Sequence, residues 1–178
     1  INDAQLDLSN RSHRLEHGVM LPKSSLENMV DLNLTVSYHI NHILYYGDVL
    51  ADGLLGEARA QQMLPVKSSF EAQLRPTLHA DSPMFPADAL SLMQTAVLRQ
   101  SSSGREFGIE QAITPQQALE AITINGAYQL NIENKIGSLK AGKRAHLRVL
   151  SENPQTLPAD QWGSIELETV WVNGRLTE

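Results

Sequence analysis

Cysteine is absent from the sequence, which excludes disulfide bonds and thiolate metal sites. Positive charge is scarce, because 14 lysine and arginine residues stand against 20 aspartate and glutamate residues, giving a net charge of −6. No basic stripe is available to meet phosphates, so we expect no nucleic-acid partner. The apolar runs fall far short of the ~20 residues that a bilayer span needs, so we expect no membrane partner. The missing cysteines do not fix the compartment, and the cytoplasm is the favoured expectation.

The 178 residues, of which 42% are hydrophobic, suffice for an ordinary globular domain with a core. Apolar and β-branched residues predict strands over 12–19, 34–39 and 76–81. Helical patterns lie between these strands and after them, which indicates an α/β fold with parallel strand pairing. A complete (β/α)-barrel needs eight such units and ~250 residues. The three units counted here are therefore either a small open sheet or part of a larger barrel.

The helices are predicted from their periodicity and from their start signals. Pro22 opens a helix over 22–32, and two short helical pieces lie on either side of Pro65. Residues 87–100 form a further helix, and a capping box predicts another from Thr114 to about residue 130. Residues 40–54 are predicted to be a long loop because of their glycine and aspartate residues.

Titratable residues lie at the carboxyl ends of the predicted strands, where (β/α)-barrels carry their functional groups. The segment LHADSP, residues 78–83, ends the third strand with His79 and Asp81. Strand alternation places residues i and i+2 on one face, so both side chains are expected to point the same way. Burying an unpaired carboxylate is costly, which predicts a partner or a metal ion for Asp81.

The order and spacing of four segments resemble the amidohydrolase superfamily: SHRLEH at 12–17, HINHILYYGD at 39–48, LHADSP at 78–83 and GSLKAGKRAHLRVL at 137–150. The most similar branch contains N-substituted formamide deformylases and proteins named as exoenzyme regulators. The resemblance implies that residues 1–132 are the last three βα units of a (β/α)8 barrel from a bacterial hydrolase. It implies that residues 133–178 are strands of a small β-sandwich, and Asn173-Gly174 independently predicts a hairpin there.

The resemblance also implies a catalytic divalent metal ion, with zinc as the expected ion. His17 matches a histidine of strand six that binds the metal. Asp81 matches an aspartate of strand eight that contacts the metal and takes a proton from the attacking water. His42 matches a histidine that faces the substrate, and His79 is assigned with it to substrate binding. His39 and His79 are both expected to be packing or supporting groups and not ligands.

The implied reaction is hydrolysis of an amide-like C–N bond in a small molecule. Zinc can lower the pKa of water from 15.7 to about 7 and polarise a carbonyl group, and a nearby aspartate can shuttle the proton. The alternative is a non-catalytic regulatory or structural module derived from the same fold.

Several family features have no counterpart in this sequence, namely the strand-one HxH pair, the bridging lysine and the strand-five histidine. Two ligands remain where a catalytic zinc site usually has three, so the chain alone is expected to hold the ion weakly. We therefore expect an inactive C-terminal fragment that depends on a missing N-terminal part of the same protein. Uncovered strand edges and an uncovered apolar inner face of the sheet also predict self-association.

Overall fold

The computed structural model describes residues 13–177, and residues 1–12 and 178 lie outside the described part. The architecture is a mixed α/β fold, as the sequence predicts. Within residues 13–177, no helix combines the length and the apolar character that crossing a bilayer requires.

A parallel sheet of three strands organises the first half of the molecule. The strands, in spatial order, are β1 (His13–His17), β2 (Leu34–His39) and β3 (Thr77–His79). Both pairings are parallel, which confirms the expected βαβ arrangement. The third strand is shorter than the predicted 76–81, because the chain enters a left-handed conformation at Asp81 (φ 55°).

Helices connect the strands and cover one face of the sheet. Their bounds are α1 (Lys23–Asp31), α2 (Asn41–Val49), α3 (Glu57–Ala60), α4 (Val66–Glu71), α5 (Ala89–Leu98), α6 (Pro115–Ile122) and α7 (Ile124–Gln129). A π-helical segment, Leu50–Leu55, continues α2, and short 3-10 helices lie at Ile109–Gln111 and Ala159–Ser164. The capping box at Thr114 is present, but Thr123 divides the helix predicted to follow it into α6 and α7.

The loop predicted over 40–54 is wrong, because α2 and the π-helical segment occupy this region. Ile40, Ile43 and Gly47 are buried at helical spacing and form the face that packs on the core. Gly47 is in close contact with the ring of Phe107 and does not form a turn. A glycine selected for close packing therefore has the same sequence signal as a glycine selected for a loop.

The two faces of the parallel sheet differ in polarity. Val36 and Tyr38 of β2 are fully buried, and the Tyr38 hydroxyl lies 2.6 Å from the Ser69 hydroxyl of α4. On the other face, neighbouring strands in register place Glu16 beside Ser37 and Ser37 beside Thr77. The expectation of an apolar inner face is therefore wrong, because the residues that pair across this face are polar.

A buried arginine at the end of α5 hydrogen-bonds to one segment that precedes the helix and to one that follows it. Arg99 is fully buried and has a left-handed backbone (φ 58°). Its guanidinium group donates hydrogen bonds of 2.6–2.9 Å to the carbonyl oxygens of Met63, Leu64 and Phe107. Burial lowers the pKa of Arg99 to about 10.

The C-terminal region contains a second, antiparallel sheet. Its strands, in spatial order, are β4 (Leu147–Leu150), β5 (Leu167–Val172) and β6 (Arg175–Leu176). Positive φ angles at Asn173 (51°) and Gly174 (75°) form the predicted hairpin turn. The β-sandwich assignment and the boundary between residues 132 and 133 stay predictions.

Candidate metal centre

Histidines end all three parallel strands. His17 is the last residue of β1, His39 of β2 and His79 of β3. Asp81 follows two residues after β3, and His42 lies in the first turn of α2. Because parallel strands bring their carboxyl ends to one edge of a sheet, five titratable side chains meet in one place.

Three of these side chains lie within reach of a single ion. His79 Nε2 is 3.3 Å from His17 Nδ1, and His17 Nε2 is 3.7 Å from an oxygen of Asp81. One ligand atom from each residue can be chosen so that all three lie within 4.8 Å of one another. The His17 and Asp81 side chains are each 46% exposed and His79 is 22% exposed, so the cluster is accessible from solvent.

The backbone at both ends of this cluster is left-handed. The φ angles are 70° at His17 and 55° at Asp81, and such angles cost a non-glycine residue about 1–3 kcal/mol. The predicted strand alternation therefore does not explain why His79 and Asp81 converge, since β3 has already ended at His79. The left-handed backbone at His17, the last residue of β1, and at Asp81, two residues beyond β3, accompanies the convergence of the side chains.

His79 is held from the polar face of the sheet. Its Nδ1 lies 2.7 Å from the Ser37 hydroxyl and 4.0 Å from a carboxylate oxygen of Glu16. Glu16 is itself paired with Arg14, whose Nε donates to it over 2.6 Å. Burial, followed by the neighbouring charge of His39, lowers the pKa of His79 to about 4. His79 is therefore a neutral imidazole near neutral pH, the form in which histidine binds metal ions.

His39 and His42 each form a hydrogen bond from ring Nδ1 to a backbone carbonyl oxygen. His39 Nδ1 donates to the carbonyl oxygen of His79 (3.3 Å), and His42 Nδ1 donates to the carbonyl oxygen of His39 (2.9 Å). A carbonyl oxygen only accepts, so Nε2 of each neutral ring carries a lone pair. Burial lowers the pKa of both side chains. His39 is 1% exposed, and its Nε2 has no hydrogen-bond partner in the described part of the chain.

Aromatic rings border the histidines on the side of α2. Phe85, in the segment after β3, stacks on Tyr45 with ring centroids 4.5 Å apart, and its ring is 5.5 Å from His39. Tyr46 meets the Phe85 ring edge-on at 5.7 Å. Trp162 is buried in the C-terminal half, away from this site in the sequence, and its Nε1–H donates to the Leu157 carbonyl oxygen.

An open cavity of about 620 Å³ lies beside the cluster. His17, His79 and Asp81 are among the residues that line it, together with residues of α5, α6 and α7. A small molecule that entered the cavity would thus reach all three side chains.

The sequence model of the amidohydrolase family matches residues 2–177. The chain belongs to the amidohydrolase family. An N-substituted formamide deformylase from Arthrobacter pascens is 28% identical to it over 92% of this chain and 30% of the relative. The resemblance found in the sequence is thus confirmed.

Solved structures share the fold. A structure of an uncharacterised metal-dependent hydrolase from Pyrococcus horikoshii OT3 superimposes with a TM-score of 0.70 and 24% identity, covering 83% of this chain and 30% of that one. An adenosine deaminase from Xanthomonas campestris with bound zinc gives a TM-score of 0.64 and 17% identity, covering 92% of this chain and 36% of that one. The chain thus spans about a third of the length of these proteins.

The structure brings the predicted residues His17, His79 and Asp81 into one cluster and places His42 beside it. Their ligand, catalytic and substrate-binding roles stay predictions. Ser37, which the sequence reasoning did not single out, contacts His79 directly. The alternation of LTVSYH, which places Ser37 and His39 on the same face of β2, is the signal that would have found it.

Proposed function

We propose that the intact protein is a metal-dependent amidohydrolase that cleaves an amide-like or formamide-like C–N bond of a small molecule with water. The observation that carries this proposal is the convergence of His17 and Asp81 at the carboxyl edge of the parallel sheet, beside an open cavity. His17 Nε2 lies 3.7 Å from Asp81 Oδ2. Membership of the amidohydrolase family supports it.

The donor set fits a divalent metal ion of the zinc type. Imidazole nitrogens and a carboxylate are established zinc donors, and His17 and Asp81 would hold the ion. When bound, such an ion lowers the pKa of water and polarises a carbonyl group. The orphaned Nε2 of the buried His39, beside these residues, agrees with a site that includes a further polar group.

Asp81 and His42 contribute the remaining chemistry on this chain. The Asp81 carboxylate, half exposed at the cavity, accepts a proton from the attacking water and passes it to the leaving amine. His42 presents its Nε2 lone pair beside the cluster and contacts the substrate.

In this proposal the described residues are the last three βα units of a barrel and the strands of a small sandwich. An N-terminal part of the same protein supplies further ligands and the remaining strands, so the chain alone is inactive. The solvent-exposed strand β1, and the edge of β3 that no strand within residues 13–177 pairs with, then pair either with that part or with a second copy of the chain.

The test uses the full-length protein, its metal content and a panel of N-alkyl and N-aryl formamides. We expect chelation to abolish hydrolysis and zinc to restore it. Asp81→Asn should lower kcat/KM by about 10²- to 10⁴-fold because the proton acceptor is lost. The control, Asp160→Asn, changes an exposed carboxylate in the C-terminal 3-10 helix and should retain activity.

Full activity of folded Asp81→Asn would contradict the assigned role. A folded, metal-loaded protein that hydrolyses no member of the panel or of a wider amide set would favour the non-catalytic alternative.

A further inference from the structure

We propose that this chain by itself holds a divalent transition-metal ion through three residues, with His79 as the third ligand beside His17 and Asp81, and that Ser37 positions His79 for this role. The inference rests on the proposed function and adds His79 to the metal ligands that it names. The sequence assigned His79 to the substrate side and left the chain with two ligands. With His79 included, the ligand number reaches the three protein groups that are usual at catalytic zinc sites.

The distances between donor atoms support a shared ion. Tetrahedral zinc with Zn–N bonds of about 2.0–2.1 Å requires nitrogen ligands about 3.3–3.4 Å apart. His79 Nε2 and His17 Nδ1 are separated by 3.3 Å. The Asp81 carboxylate approaches the same histidine from its other nitrogen, and the three donor groups fall within a 4.8 Å limit. One ion shared by all three groups therefore requires the Asp81 or His17 side chain to rotate, because Asp81 lies beside His17 Nε2 and His79 beside His17 Nδ1.

Ser37 determines which nitrogen of His79 is available. When the Ser37 hydroxyl accepts a hydrogen bond from Nδ1–H, over the observed 2.7 Å, Nε2 becomes the lone-pair nitrogen that faces His17. Metal-binding histidines usually donate their other ring N–H to a hydrogen-bond acceptor, which fixes the ring orientation. Ser37 is buried in the middle strand, so its hydroxyl has little freedom to move away.

His39 provides a second, independent indication that a polar ligand belongs in this place. A buried polar atom without a partner is unfavourable, yet His39 Nε2 has none among the described residues. The ring lies 5.6 Å from His17 and 5.3 Å from His79, centroid to centroid. His39 Nδ1 also donates to the carbonyl oxygen of His79, so the ring with the unpartnered Nε2 is in direct contact with the proposed ligand residue.

The test is calorimetric titration of the 178-residue chain, freed of metal by chelation, with Zn²⁺ and with Co²⁺. The cobalt visible spectrum reports coordination without any assay of activity. We expect one ion per chain. His79→Gln should weaken binding by at least about tenfold, and Ser37→Ala by about 10- to 100-fold. Ser37→Thr, which keeps the hydroxyl, should restore most of the affinity.

The matched control is His146→Gln, because His146 is exposed and lies in the C-terminal region. This variant should bind as the parent chain does. Circular dichroism and thermal unfolding identify any variant that fails to fold, and for such a variant the cobalt spectrum of the parent chain decides whether imidazole ligands are present.

Wild-type affinity in folded His79→Gln, or no binding by the folded parent chain, would overturn the inference. The proposed function would survive either result if the full-length enzyme still lost its metal-dependent hydrolysis on substitution of His17. Conversely, tight binding by the chain together with an inactive, metal-loaded full-length protein would overturn the proposed function and leave this inference standing.

Discussion

Replacing Gly47 with alanine tests whether residues 41–49 form a packed helix and not a loop. An ideal Cβ on Gly47 would lie 2.6 Å from Cε2 and 2.9 Å from Cδ2 of Phe107, well inside ordinary contact distance. Phe107 is fully buried. Its backbone N–H donates to the Arg99 carbonyl oxygen and its carbonyl oxygen accepts from Arg99 Nε, so the residue cannot easily move away. Such overpacking costs about 1–3 kcal/mol, against which alanine gains up to about 1 kcal/mol of helix propensity. Because the 2.6 Å approach is severe, we expect a cost in the upper part of that range, about 2–3 kcal/mol, and a net loss of about 1–2 kcal/mol of unfolding free energy for Gly47→Ala.

Gly126 in α7 provides the matched control: among residues 13–177, apart from its chain neighbours and its own helix backbone, no atom lies within 4 Å of its ideal Cβ. Gly126→Ala should gain about 0.5–1 kcal/mol from helix propensity alone. For a chain of this size each kcal/mol moves Tm by about 2–4 °C, so calorimetry should show Tm falling by roughly 2–8 °C for Gly47→Ala and rising for Gly126→Ala. A Gly47→Ala protein at least as stable as the parent would refute the packing of α2 against Phe107.

Two further changes test other parts of the fold. Arg99→Met should lower the unfolding free energy by about 3 kcal/mol, because three buried carbonyl oxygens each lose a hydrogen bond from the guanidinium group; urea unfolding with an unchanged midpoint would contradict this. Thr114→Ala should cost about 1 kcal/mol, because the Thr114 hydroxyl caps the backbone N–H of Gln117. Hydrogen exchange should then increase first in α6, and an unaltered exchange pattern would argue against the cap.

The sequence predicted the strands, because β-branched runs and alternation are local signals. It also predicted the capping box at Thr114 and the hairpin at Asn173, where side-chain chemistry determines the backbone within a few residues. The loop prediction for residues 40–54 was wrong because Gly47 packs against Phe107, which lies 60 residues further along the chain. Contacts at such a distance in sequence leave no local pattern.

The site was predicted in part, and the prediction depended on the family resemblance for His17 and Asp81. Their closeness could not be derived from spacing, because it depends on strand register and on left-handed backbone at the last residue of β1 and beyond β3. The contact between Ser37 and His79 likewise joins two strands 42 residues apart in the chain. Alternation alone places Ser37 on a polar face but does not identify its partner.

The most direct test of the metal centre is anomalous diffraction from crystals of the chain grown with zinc, measured on both sides of the zinc absorption edge. We predict one strong peak about 2.0–2.1 Å from an imidazole nitrogen of His17 and of His79, with the Asp81 carboxylate also bound. Zinc bound elsewhere, with these three side chains left unliganded, would contradict it.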